Sequence, residues 1–284
     1  MGVIIQASFD YVEISRGRIA QEKNEGGEKM SVKIYDLSQP FRQGIPLWPW
    51  PVMTDISITR VSYPERDRFP GGVSKLTTVI TTKFHASTHL DAPSHVLDGG
   101  MNIDQIPLER CYGTGVIVDM RHKKKWDIIT AEDLENAKPK IREGDFVVVN
   151  TGWHRYFLTE HYVFMNHFPG FYDSAGKWFV KKKVKAVAID GGAMDSPLAH
   201  RPLDKYAPWL YQEYLEETGK DANKEFPIYE PCHMALAKAG IPGIEIAGGQ
   251  IDKVTGKRCT LAAFPIRYEG GEASIIRLVA IVGK

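Results

Sequence analysis

Thiol pairs, membrane-length apolar runs and a dominant charge are all missing from this sequence, and each absence removes a class of function. The three cysteines, Cys111, Cys232 and Cys259, stand far apart and form no CxxC pair. That argues against a thiolate zinc site and, with an odd count, against a disulfide framework; they read as buried thiols in a reducing cytosol. No stretch reaches the ~20 apolar residues that span a bilayer. Val3-Ile4-Ile5 is too short for a secretion signal, and Gln6 spoils the myristoylation pattern begun by Met1-Gly2. Lys plus Arg (36) nearly cancels Asp plus Glu (35), so no global field draws the chain to nucleic acid or to an anionic membrane surface. These exclusions leave a cytoplasmic globular protein whose partner is a small molecule.

What is present suits that reading. The 284 residues, 43% hydrophobic and 11% aromatic, can bury a full core. Residues 16–29 are polar and charged, and Met30 opens a clean apolar pattern, so residues 1–29 read as a mobile arm or start-site extension and 30–284 as one α/β domain. Short β-branched runs alternate with turns and predict strands over 33–37, 77–84, 115–120, 145–150, 185–189, 241–246 and 274–282. Helical signals are fewer. Thr130-Ala-Glu-Asp133 is a capping box, Pro231 and Gly240 bracket a helix over 232–239, and a third helix is expected over 206–217.

Of nine histidines, three fall between residues 85 and 95, in His85-Ala-Ser-Thr-His89-Leu-Asp91-Ala-Pro93-Ser-His95. A straight strand would align these side chains but spread the ends by about 33 Å, far beyond one ion whose ligands sit ~2 Å away. A helix would stack His85 under His89 but point Asp91 elsewhere, and Pro93 disfavours a helical Ala92. The segment therefore has to curl around an ion. Two imidazoles and a carboxylate suit zinc, manganese or iron(II), and ligands from one loop leave coordination positions for water, whose pKa a bound divalent ion brings from 15.7 toward ~7. His95 is either a fourth ligand or a general base beside the ion, and the second role is preferred.

At these residues the sequence resembles the cyclase family of metal-dependent hydrolases, which includes kynurenine formamidases and isatin hydrolases, through its HxGTHxDxPxH motif. The departure is Ser87 where that motif has glycine. The resemblance runs over most of the chain from Met30. Gly44-Ile-Pro46-Leu-Trp48-Pro49 looks like the family's G-x-P-x-W-P element, which implies Trp48 as a substrate-binding wall. His167 to Gly170 and Ala188 to Asp195 resemble blocks of the longer members, and Asp190 there is either a partner of a ligating imidazole or a loop cap. His233 and Glu245, twelve residues apart, resemble a second metal-ligating pair; the usual Asn after the glutamate is here Ile246.

The resemblance implies a swivelling β/β/α fold with a mixed, barrel-like sheet, one or two zinc or manganese ions held by His85, His89, Asp91, His233 and Glu245, and a homodimer or homotetramer. The expected chemistry is hydrolysis of a non-peptide amide, either an aryl formamide or a cyclic amide, with His95 as proton carrier. Trp48, Trp153, Phe168 and Phe171 are candidates for a flat aromatic pocket. Lactone opening, a lyase or cyclase reaction, and metal binding without turnover are the rival readings.

Overall fold

The computed structural model describes residues 31–47 and 56–283. The reading of residues 1–29 as an arm therefore lies outside the described residues. Nine strands form one mixed sheet: β1 (Val32–Asp36), β4 (His89–Asp91), β5 (Tyr112–Asp119), β7 (Phe146–Asn150), β9 (Ala186–Ile189), β10 (Gly243–Glu245), β11 (Arg258–Ala262), β12 (Ala273–Ile275) and β13 (Val279–Gly283). Their order is β1-β13-β11-β5-β7-β9-β10-β4-β12. β5, β7, β9 and β10 run parallel, and antiparallel strands flank them on both sides. A separate hairpin joins β2 (Ser57–Ser62) to β3 (Thr77–Thr81), and β6 (Ile128–Ile129) pairs with β8 (Gly170–Phe171).

The parallel strands read as continuous apolar runs because both of their faces are covered. Ile117, Phe146, Val148, Ala186 and Ala188 enter one core, while Val116, Val118, Val147, Val149, Val187 and Ile189 enter the other. The second core packs under three helices, α1 (Ala131–Asn136), α3 (Asp173–Lys182) and α7 (Pro231–Lys238). The first is wrapped by the sheet itself. Only residues 276–278 separate β12 from β13, although these strands stand ninth and second in the order. Four residue steps span at most about 14 Å, whereas seven strand spacings in a flat sheet would require roughly 34 Å. The sheet must curl until its ends approach, giving the half-barrel. The mixed α/β, barrel-like architecture expected from the sequence is the one observed.

The remaining helices are α2 (His161–Asn166), α4 (Leu203–Tyr206), α5 (Pro208–Thr218) and α6 (Ala222–Glu225). The capping box is present, with Thr130 and Asp133 each satisfying the other's backbone N–H at the start of α1. Three expectations are corrected. The strand over 274–282 is two strands, because Ile276 and Leu278 turn inward to carry the chain between the sheet's ends. The helix over 206–217 breaks at Ala207, whose φ of −146° is extended, and restarts on Pro208. The strand leading into His85 stops at Thr81 and belongs to the outlying hairpin. α3 carried no helical signal because Gly176 stands mid-helix. A Cβ there would lie 2.8 Å from Cys232 Cα, so the glycine lets α7 lie close against α3.

Candidate metal centre

Strand register decides which side chains meet. Leu90 of β4 stands opposite Ile244 of β10, and both enter the inner core. His89 and Asp91 therefore project from the opposite face, and Glu245, opposite His89, joins them. Gly243 stands opposite Asp91, so no side chain on that strand crowds the carboxylate. His85 reaches the same place from the preceding loop because the chain reverses at Ser87, whose φ is 55°. That conformation also aims the Ser87 carbonyl at His89 Nδ1, 2.8 Å away, which leaves Nε2 facing Asp91 Oδ1 at 3.4 Å and Glu245 Oε2 at 3.5 Å.

His233 arrives on the first turn of α7. Asp195 fixes it, accepting hydrogen bonds from the N–H groups of Cys232 (2.8 Å) and His233 (2.9 Å) and lying 2.6 Å from His233 Nδ1. One carboxylate thus caps a helix N-terminus and orients an imidazole. His233 Nε2 lies 2.9 Å from Glu245 Oε1 and 3.8 Å from Asp91 Oδ2, while His85 Nδ1 lies 3.0 Å from Asp91 Oδ1. Two groups result, His85–His89–Asp91 and Asp91–His233–Glu245, and within each the ligand-type atoms lie within 4.8 Å of one another. Asp91 belongs to both.

The donor set fits a divalent cation by its unmet bonding. His89 Nε2 and both carboxylate oxygens of Asp91 are buried among close polar neighbours yet make no aligned hydrogen bond, a combination that native interiors avoid unless an ion or water completes it. All donors are nitrogen or oxygen, matching zinc or manganese. The site is electrostatically primed. Burial opposes charge on His89, yet Asp91 and Glu245 lift its pKa to about 9, and Asp195 and Asp91 hold His233 well above the imidazole range. Burial likewise opposes charge on Asp91, but His89 and His85 hold it well below the usual carboxylate range. Cation binding must displace protons from these imidazoles, so affinity rises with pH. In metal-free protein the His89 pairing stabilises fully below its unfolded value of 6.5 and is lost as pH climbs through about 9.

Comparison with known proteins gives the family. Residues 35–196 match the family described as "Putative cyclase". The chain belongs to it. Among curated relatives, "Cyclase-like protein 2" of Arabidopsis thaliana is 25% identical over 88% of this chain and 79% of its own length. The kynurenine formamidase of Erythrobacter litoralis is 29% identical over 33% of this chain and 40% of that protein. The solved structure of isatin hydrolase A from Ralstonia solanacearum superposes with a TM-score of 0.69 at 21% identity, covering 88% of this chain and 92% of that one. Among the described residues no helix is long and apolar enough to cross a membrane.

Two departures from the family pattern, Ser87 and Ile246, fall at strained backbone. Among the described residues five non-glycine residues have positive φ, and three of them surround the site: Ser87, Glu230 and Ile246, at 55°, 47° and 58°. Glycine or asparagine tolerates that region, while a β-branched Ile246 does so only where its surroundings over-determine it. Ser87 is held by its hydroxyl, which donates to the Gln39 carbonyl at 3.0 Å. Ser87→Ala keeps the strain and loses that bond. It should therefore destabilise the protein by about 1–2 kcal/mol in chemical denaturation, while Ser87→Gly, relieved of the strain, should stay within about 1 kcal/mol of wild type.

His95 stands at the edge of the cluster, its ring 4.1 Å from that of His85 and 6.1 Å from that of His233, outside both ligand groups. It is exposed to the cavity, yet neighbouring atoms dehydrate its ring enough to hold its pKa below the ordinary value against the pull of Asp91. A cavity of about 200 Å³ opens over the cluster, and its wall adds Lys83, His200, Glu230 and Ile246 to the site histidines and Glu245.

Other candidates are placed differently. Asp190 meets no residue of the cluster; it accepts from Thr151 N–H (2.7 Å) and Oγ1 (2.6 Å) and pairs with His154, so it is a loop cap. Phe168 and Phe171 are fully buried in the interior, and Trp153 packs in another hydrophobic cluster. None of the three lines the cavity, so the flat aromatic pocket expected from them does not form. Trp48 lies outside the described residues. Sequence reasoning missed Asp195 as the anchor of His233, together with Lys83 and the His200–Glu230 pair (3.2 Å). Asp195 ends the Ala188–Asp195 block, and an acid one loop after a buried strand was its only signal.

Proposed function

We propose that this chain is a cytoplasmic, metal-dependent hydrolase that opens a non-peptide amide, an aryl formamide or a cyclic amide. One observation carries the reading: Asp91, buried with neither oxygen in an aligned hydrogen bond and with imidazoles of both groups around it, stands where the two ligand groups meet. His85, His89 and Asp91 would hold one divalent ion, and Asp91, His233 and Glu245 a second, zinc or manganese in each case. Such an ion supplies Lewis acidity and water of lowered pKa. Asp195 and the Ser87 carbonyl keep His233 and His89 pointed inward. His95, neutral near pH 7, takes the proton from the attacking water and passes it to the departing nitrogen as the C–N bond breaks, leaving a carboxylic acid and an amine. Three free cysteines, two of them buried, suit a reducing compartment.

The testing experiment is metal analysis of the purified protein joined to a screen of formanilide, isatin, a cyclic imide and an aryl lactone, with products identified by mass. Stoichiometric zinc or manganese with release of a carboxylic acid from an amide supports the proposal. Metal binding without turnover of any compound would replace it with a binding role, and a product lacking added water would point to a lyase. Asp195→Asn should weaken metal affinity by roughly 10–100-fold in chelator competition, because His233 loses its orienting carboxylate.

The same reading includes a homodimer or homotetramer. Val61, Phe69, Val73, Leu76, Val79 and Ile80, on the β2–β3 hairpin and its connecting loop, are each 47–53% exposed. A lone two-stranded hairpin is marginal in water, and such an apolar patch is the kind that a second copy buries. Sedimentation of the same preparation as a monomer would remove this part.

A further inference from the structure

Among the described residues, Lys83 differs from every other half-buried lysine. The four other half-buried lysines all find acceptors: Lys123 meets Asp133 at 2.7 Å, Lys125 meets Glu213 and Glu217 at 2.8 and 2.6 Å, Lys182 meets Glu135 at 3.5 Å, and Lys185 donates to the Tyr112 carbonyl at 2.9 Å. Lys83 is half-buried too, yet its ammonium meets no carboxylate and no carbonyl among the described residues. Partial dehydration of an ammonium is unfavourable, and an anion entering the cavity would offset it.

The cavity shows where that ligand would lie. Lys83 is on its wall, two residues before His85 in the chain. The wall's acids are already committed. Glu230 lies 3.2 Å from His200 Nδ1, and Glu245 accepts from Met194 N–H at 2.7 Å while facing His233. The wall's remaining members are imidazoles and small or apolar residues, so among the described residues Lys83 is the one ammonium or guanidinium it presents. A lysine is a compact point charge on a flexible stem, able to follow a carboxylate in a small polar cavity.

We infer that Lys83 is a substrate-specificity residue that binds a carboxylate carried by the substrate, so that the preferred amide is an anion. This inference rests on the hydrolase reading of the same cavity but names what that reading leaves open, the charge of the molecule that enters. The carboxylate remote from the scissile bond pairs with Lys83, and the cluster faces the amide carbonyl. No covalent step involves Lys83; its contribution is to binding.

The test compares formanilide with the same compound bearing a ring carboxylate, and benzoate binding with benzamide binding by calorimetry, using full-length metal-loaded protein. Wild type should prefer the carboxylate-bearing amide and bind benzoate over benzamide. Lys83→Met should raise KM for the carboxylate-bearing amide about 10-fold or more with kcat nearly unchanged, weaken benzoate by a similar factor, and leave formanilide alone; a charged hydrogen bond of ~1.5–3 kcal/mol corresponds to that range. Lys83→Arg should retain most of the preference. Equal KM changes for both amides, or wild-type protein that fails to bind benzoate, would overturn the inference. Should wild type hydrolyse neither amide while benzoate binding still collapses in Lys83→Met, the amide-hydrolase reading falls and the carboxylate site stands. If Lys83→Met does not fold, Lys83→Gln gives the same comparison.

Discussion

Asp91→Asn is expected to empty both metal positions at once and to lower activity by about a thousandfold or more, ~4 kcal/mol in transition-state terms. The reason is its double membership: every other residue of the cluster belongs to one ligand group, and Asp91 to two. Asparagine keeps the shape but loses the anionic oxygen that each ion needs. In wild type, metal addition should raise the melting temperature by mass action on the folded state; in Asp91→Asn it should not. Glu245→Gln provides the contrast, because it disturbs only the Asp91–His233–Glu245 group. Metal content should fall from two ions per chain toward one in that variant and toward none in Asp91→Asn. Identical stoichiometry in the two would show that a single ion is bound. Asp91→Asn should also release His89, whose pKa, lifted to about 9 with Asp91 and Glu245 beside it, should drop in an NMR titration of metal-free protein.

How much of this was open to the sequence depends on what kind of interaction sets each feature. Curling of the His85–His95 segment followed from chain reach alone, and β4 with its reversal at Ser87 is what was required. Strands β7 and β9 were legible because a parallel strand covered on both faces is an unbroken apolar run. β11, whose first three residues are partly exposed and whose last two alone are buried, lies between two antiparallel neighbours, gave no such run and went unseen. α3 was hidden by the glycine that lets α7 lie against it. At the site, the candidate cation ligands stood out because metal chemistry restricts residue type and spacing, and the fold brings them together. Asp195 and Lys83 did not. An acid that orients an imidazole from 38 positions away, or an ammonium brought to a cavity wall beside a histidine cluster, is a property of the folded neighbourhood, and local spacing carries no trace of it. Asp190 shows the converse: a well-placed acid after a buried strand turned out to serve Thr151 and His154.

His95→Ala separates holding the metal from using it. The ring contacts His85 and His233 but stands outside both ligand groups, so the variant should keep its full metal content while kcat falls by about 10²–10⁴-fold, the usual contribution of a positioned proton carrier. The pH profile supplies a second, independent reading. Dehydration by the surrounding atoms keeps the His95 pKa below the ordinary imidazole value of 6.5, so the ring is neutral and able to accept a proton at neutral pH. Wild-type kcat/KM should therefore hold level near pH 7 and fall as pH drops through that lowered value. In His95→Ala this acidic limb should vanish, leaving only the fall caused by protonation of the ligating imidazoles and loss of metal, and exogenous imidazole should restore part of the rate. A fourth-ligand role predicts something else: weakened metal affinity in chelator competition, and no rescue by imidazole once metal is saturating. Full activity with full metal content would remove His95 from the chemistry altogether and leave proton delivery to the water that fills the cavity.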